Sequence, residues 1–82
     1  MHDEDQARLQ HMIDAAEAAT QFVAGRRRAD LDTDRMLLFA LVRSIEIIGE
    51  AANKTSEETR SATPHIPWKA IIGMRHRLIH AY

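Results

Sequence analysis

The sequence of 82 residues has no cysteine. That excludes disulfide bridges, thiolate metal sites and a thiol nucleophile, and it fits a reducing compartment. Long apolar runs are missing too. The longest, Met36 to Val42, is far short of the roughly 20 residues that span a bilayer. The N-terminus, Met-His-Asp-Glu-Asp, is acidic where a signal peptide is basic, so the chain is expected to be cytoplasmic, with no membrane partner. Aromatic residues make up only 5%, which leaves no aromatic-rich surface for stacking single-stranded bases, and no known sequence-reading module is present. Strand alternation, internal repeats and low-complexity tracts are also absent.

What remains fits one small domain over residues 1–82. A chain of this size buries only about 60–65% of the surface its unfolded form exposes, so a partner subunit would add needed stability. The apolar content of 45% and charged content of 28% are ordinary for a globular protein. A net charge of −1 gives no global nucleic-acid footprint, yet the distribution is uneven. All 12 acids lie at or before Glu58. Beyond it stand Arg60, Lys69, Arg75 and Arg77, with His65, His76 and His80. A cationic end on a near-neutral chain suits an anionic partner, phosphate being the usual one. The alternative is acidic surface elsewhere in the fold, or in a second subunit, that balances it.

Leu9, Met12, Ile13, Ala16, Thr20 and Val23 recur at helical spacing, predicting a first helix from about Asp5 to Ala24 with Gly25 as its stop. Arg26, Arg27 and Arg28 follow, either solvated and complementing the helix dipole or in contact with an anion. Asp32 or Thr33 is expected to cap a second helix reaching about Asn53. That helix is apolar nearly all round from Met36 to Ala52, as a central buried helix should be. Its one polar stripe is Arg43, Glu46, Glu50 and Asn53, which is the wet side of the helix or the lining of a cleft. Thr55 and Glu58 read as a capping box for a short third helix ending before Pro64. Pro67 suits the first turn of a fourth helix, from about Trp68 toward His80. The expected class is all-α: a small up-down bundle of about four helices.

In that last helix Trp68, Ile71, Ile72, Leu78, Ile79 and Tyr82 share one face, and Arg75 lies at its centre. An arginine inside an apolar stripe is costly unless it is paired or opens to a cleft. Glu46 and Glu50 are its candidate partners, and outward snorkelling is the other way out. Lys69, His76 and His80 fall together on a different flank. Two histidines without a third ligand are a weak metal signal, so no metal or other cofactor is expected. Arginine with histidine, lacking a nucleophilic cysteine and a carboxylate pair, suits RNA cleavage. The ribose 2′-hydroxyl is already beside the phosphate, so the protein need only move protons and stabilise the extra charge. Histidine does the first and the planar guanidinium the second. On a straight helix Arg75 and His80 point about 140° apart. Either the helix ends or bends before His80, or a second subunit completes the site.

The stretch Arg75-His76-Arg77-Leu78-Ile79-His80-Ala81-Tyr82 is similar to the Arg-x4-His-x-Tyr signature of the HEPN superfamily, in particular its HepT-like toxins. Asp32 to Leu38, Ile45 to Ala52 and Ile66 to Arg75 read like the same family. The resemblance implies a HEPN-like fold and a metal-independent endoribonuclease, the toxin of a type VII-like toxin–antitoxin module. It implies a homodimer or higher homo-oligomer with the motifs facing a shared cleft. It also implies a minimal nucleotidyltransferase antitoxin that silences the toxin by adding AMP to the motif tyrosine. The matching positions are Arg75 and His80 for catalysis and Tyr82 for modification, with Lys69, His76 and Arg77 as phosphate or RNA contacts. Two features depart from the family pattern. His76 stands where asparagine is common, and the sequence stops at Tyr82 where relatives continue into a further helix, so a C-terminally shortened domain is expected. A catalytically inactive helical module that binds the nucleotidyltransferase or RNA is the alternative function.

Overall fold

Residues 1–81 are described by a computed structural model, and among them every regular element is helical: α1 Asp3–Val23, α2 Asp30–Thr33, α3 Arg35–Lys54, α4 Glu57–Ala62 and α5 Trp68–Ala81. The all-α class holds, with one short helix more than expected. α3 is central. α1 packs along one side of it and α5 along the other, and these two scarcely meet.

Asp3, Glu4 and Asp5 occupy the first turn of α1, where carboxylates complement the helix dipole. The helix ends at Val23, and the chain turns away at Gly25, whose φ of 71° is the left-handed conformation glycine adopts freely. Its buried positions are Asp5 and Ala15, with Met12 and Ala19 half-buried beside them. The inward face is therefore rotated from the expected stripe, and Ile13 and Val23 stand exposed.

The connection to α3 is held by charge. The Arg26 guanidinium donates to Asp34 at 2.8 Å and to Asp30 at 3.4 Å, and the Arg27 N–H reaches Asp30 at 2.7 Å. These contacts fold residues 30–33 into α2. They also move the cap of α3 from the expected Asp32 or Thr33 to Asp34, whose carboxylate accepts from the Leu37 N–H at 3.0 Å. The Arg26 guanidinium, then the Leu37 N–H, hold the Asp34 carboxyl below its ordinary range.

A second correction falls at α4. Its cap is Ser56, accepting from the Thr59 N–H at 3.2 Å, not Thr55. Thr55 is buried at 2% exposure, and its hydroxyl donates back to the Ala51 carbonyl at 2.8 Å. Glu58 reaches outward to His2 instead of closing a capping box. Asp5 decides the register. Its carboxylate, 2% exposed, accepts from the Ser56 N–H at 3.0 Å, the Ser56 hydroxyl at 2.5 Å and the Thr59 hydroxyl at 2.6 Å. The polar path continues through the Thr63 hydroxyl, which donates to the Thr59 carbonyl at 2.8 Å and accepts from the Trp68 indole N–H at 3.1 Å. Trp68, buried, thereby fixes where α5 begins.

The molecule is elongated, with extents of 42 × 24 × 19 Å. Its radius of gyration is 13.7 Å, against about 12 Å for a compact domain of this length. Among the described residues the buried apolar set is small: Ala15, Leu37, Val42, Ala51, Ala52 and Trp68. Met36 and Phe39, expected inside a central helix, are 84% and 52% exposed.

Candidate functional site

Arg75 lies seven residues along α5 from Trp68, on the side of α5 that faces α3. The two helices cross there at Gly49. A Cβ built on Gly49 would fall 2.3 Å from the Arg75 Cβ and 2.9 Å from its Cδ. No side chain fits at that position, so glycine in mid-helix, at a propensity cost of about 1 kcal/mol, is what lets α5 seat its arginine.

The guanidinium then meets the polar stripe of α3. Arg75 Nη2 is 4.0 Å from Glu50 Oε1, and the same oxygen is 3.3 Å from Arg43 Nη1. Arg43 Nη1 is also 3.9 Å from Glu46 Oε2. Of the two candidate partners, Glu50 is therefore the one that pairs with Arg75, while Glu46 serves Arg43. The pairing is loose: at 4.0 Å it is a charge contact and not a hydrogen bond. Arg75 Nε is buried with no hydrogen-bond acceptor among the described residues, though the side chain as a whole is 23% exposed. A buried donor left unmatched costs about 1–3 kcal/mol. An oxyanion reaching this fork would relieve that cost and replace Glu50 with a bidentate partner.

His80 lies elsewhere. α5 runs unbroken to Ala81, so the helix neither ends nor breaks before His80, and the two side chains leave its axis about 140° apart. Lys69, His76, Arg77 and His80 are all exposed. Lys69, His76 and His80 line one flank together with Gly73, around whose Cβ direction nothing lies within 4 Å. That flank is an open strip of one lysine and two imidazoles. Tyr82 lies outside the described residues. Among the described residues, no three histidine, aspartate or glutamate side chains converge as metal ligands. The role of Gly49 escaped sequence reasoning, although glycine in an otherwise apolar helix is itself a signal of close approach.

Fold and site together define an all-α domain whose last helix wedges one arginine into a helix crossing and turns a histidine-bearing flank to solvent. The chain belongs to the Ribonuclease HepT-like family, whose model matches residues 12–82. It is 42% identical over 74 residues to "Putative RNase TTE0752" of Caldanaerobacter subterraneus subsp. tengcongensis, an alignment covering 90% of this chain and 66% of that protein. It is 31% identical to "Putative RNase MJ1380" of Methanocaldococcus jannaschii, over 90% of this chain and 68% of that one. With "Probable ribonuclease HepT" of Thermococcus cleftensis the identity is 35%, over 90% and 67%. The chain thus spans about two thirds of the length of these relatives. No solved structure matches it. The resemblance read from Arg75 to Tyr82 is borne out at the level of the family.

Proposed function

We propose that this chain is a metal-independent endoribonuclease acting as the toxin of a two-gene module, with Arg75 and His80 as its catalytic residues. The observation that carries the reading is the half-buried Arg75 guanidinium, held by Gly49 and only loosely matched by Glu50. His80 takes the proton of a ribose 2′-hydroxyl, and O2′ bonds to phosphorus as the P–O5′ bond breaks. The imidazolium so formed returns the proton to the departing 5′-oxygen, leaving a 2′,3′-cyclic phosphate. Arg75 stabilises the charge that accumulates on the phosphorane oxygens. Because Arg75 and His80 diverge on one continuous helix, the working site is that of a homodimer in which each chain completes the other. The thin core and elongated shape support this. Lys69, His76 and Arg77 guide the phosphate backbone. Tyr82 is the acceptor of AMP from a minimal nucleotidyltransferase, which silences the toxin.

The test is RNA cleavage by purified protein in EDTA beside identically prepared His80→Ala. Cutting by the parent alone supports the reading, and cutting by His80→Ala at the parental rate removes His80 from the mechanism. A second reading, an inactive module that binds RNA or the nucleotidyltransferase, is favoured by the same divergence of Arg75 and His80 in a single chain. A folded parent that binds RNA without cutting it would select that reading.

A further inference from the structure

On the other side of α3 from α5, a hollow of about 300 Å³ opens between α1 and α3. Ala7 on α1 and Ala51 on α3 line it with Ile47, and the two alanines are too small to fill the space between the helices. Each helix contributes one cation to the lining, Arg8 from α1 and Lys54 from α3, with the His11 imidazole beside them. Arg8 is partly matched by Glu4, at 3.6 Å. Lys54 and His11 have no ion-pair partner among the described residues. Two carboxylates, Glu4 and Glu50, complete the lining, and that of Glu50 is already shared with Arg43 and Arg75. The hollow and the arginine thus stand on either side of one side chain.

We infer that this α1–α3 hollow is a second subsite for RNA, seating one nucleotide of a strand whose neighbouring phosphate lies at Arg75. Apolar side chains beside an unpaired lysine match the two chemistries of a nucleotide: the base or ribose face rests on Ala7, Ile47 and Ala51, and the phosphate meets Lys54, with Arg8 and the His11 ring beside it. The volume lies at the lower end of ligand sites and admits one nucleotide, not a duplex. An anionic strand arriving there also competes with Glu50, releasing Arg75 for the scissile phosphate. The inference rests on the ribonuclease reading for the place of the strand, but its test does not require cutting.

The probe is a fluorescein-labelled single-stranded RNA of about a dozen nucleotides, 2′-O-methylated throughout so that it cannot be cleaved, titrated by anisotropy at several salt concentrations. Lys54→Gln removes a rim cation, Ala7→Phe fills the hollow without changing charge, and Arg28→Gln is a charge-matched control in the α1–α3 connection. All three positions are exposed, and melting curves check that each variant folds. Lys54→Gln and Ala7→Phe should each weaken binding by about threefold to tenfold. Lys54→Gln should also reduce the salt slope by about 0.7, the contribution of one phosphate contact on a single strand. Ala7→Phe should leave the slope unchanged, and Arg28→Gln should leave both quantities at the parental values. Parental affinity in both hollow variants overturns the inference, as does equal weakening by Arg28→Gln or a parent that does not bind the RNA. Weakened binding of an acidic peptide by Lys54→Gln, with RNA binding unchanged, also overturns it, in favour of a protein partner. A parent that binds this RNA but does not cut its unmodified counterpart defeats only the ribonuclease reading, and the two hollow variants still decide the subsite.

Discussion

At the scale of single residues, two positions carry contacts that make their substitutions informative. Asp5 sits 2% exposed beneath three donors, and the Ser56 hydroxyl, then the Thr59 hydroxyl and the Ser56 N–H, lower its carboxyl to about 2 from 3.8. Because the folded value is depressed, the stabilisation is complete above about pH 4 and is lost as pH falls from there toward 2. Urea midpoints measured across that window should fall in the parent and fall less steeply in Asp5→Asn, which should be less stable than the parent at neutral pH. Identical slopes would show that Asp5 gains nothing from ionising in the fold. Gly49→Ala sets two effects of opposite sign against each other. Helix propensity gains about 1 kcal/mol. The new methyl, however, would meet the Arg75 Cβ at 2.3 Å, an atom too close to the backbone to rotate away. The helices must separate, at a cost of about 1–3 kcal/mol. We expect net loss of stability in chemical denaturation, and a larger loss of RNA cleavage than of stability. A stabilised Gly49→Ala would show that the crossing is looser than this geometry.

At the scale of elements, the helices were legible because their signals are local. Periodicity placed α1 and α3, Gly25 ended α1, and Pro67 with Trp68 opened α5 to within a residue or two. What failed was decided across the chain. Thr55 and Glu58 satisfy a capping box in sequence, but Asp5, 51 residues away from Ser56, recruits Ser56 as the cap. Residues 30–33 became α2 because Arg26 binds Asp30 and Asp34 together. Of the site, Arg75 was visible as a charge on an apolar face and Glu50 as one of two possible partners. The hollow was not visible, because it depends on the register of α1 against α3. Ser56→Ala should remove the cap and take one of the three donors from Asp5, leaving the backbone N–H and the Thr59 hydroxyl, an expected loss of roughly 1–3 kcal/mol. Asp34→Ala should lower the melting temperature, with Asp34→Ser recovering part of the loss. Serine restores the cap to α3 but not the ion pair with Arg26. A full recovery by serine would show that the ion pair adds nothing.

At the scale of the whole molecule, the proposed dimer makes a quantitative prediction. If Arg75 of one chain works with His80 of the other, inactive Arg75→Ala and inactive His80→Ala become complementary when their subunits exchange. In an equimolar mixture half of the dimers are mixed, and each mixed dimer holds one intact pair of the two. The mixture should therefore recover about a quarter of parental cleavage. No recovery under conditions where exchange is demonstrated would place both residues in one chain's site. Sedimentation of the parent should show association, since α1 and α5 pack mainly on α3 and leave Met36, Phe39 and Ile79 exposed. Glu50 has a further consequence at this scale. One carboxylate faces the arginine on one side and the hollow on the other, so occupancy of the two places is thermodynamically linked. Whatever factor a ligand in the hollow applies to anion affinity at Arg75, an anion at Arg75 must return to the hollow. Replacing Glu50 by glutamine should shrink that factor in both directions at once.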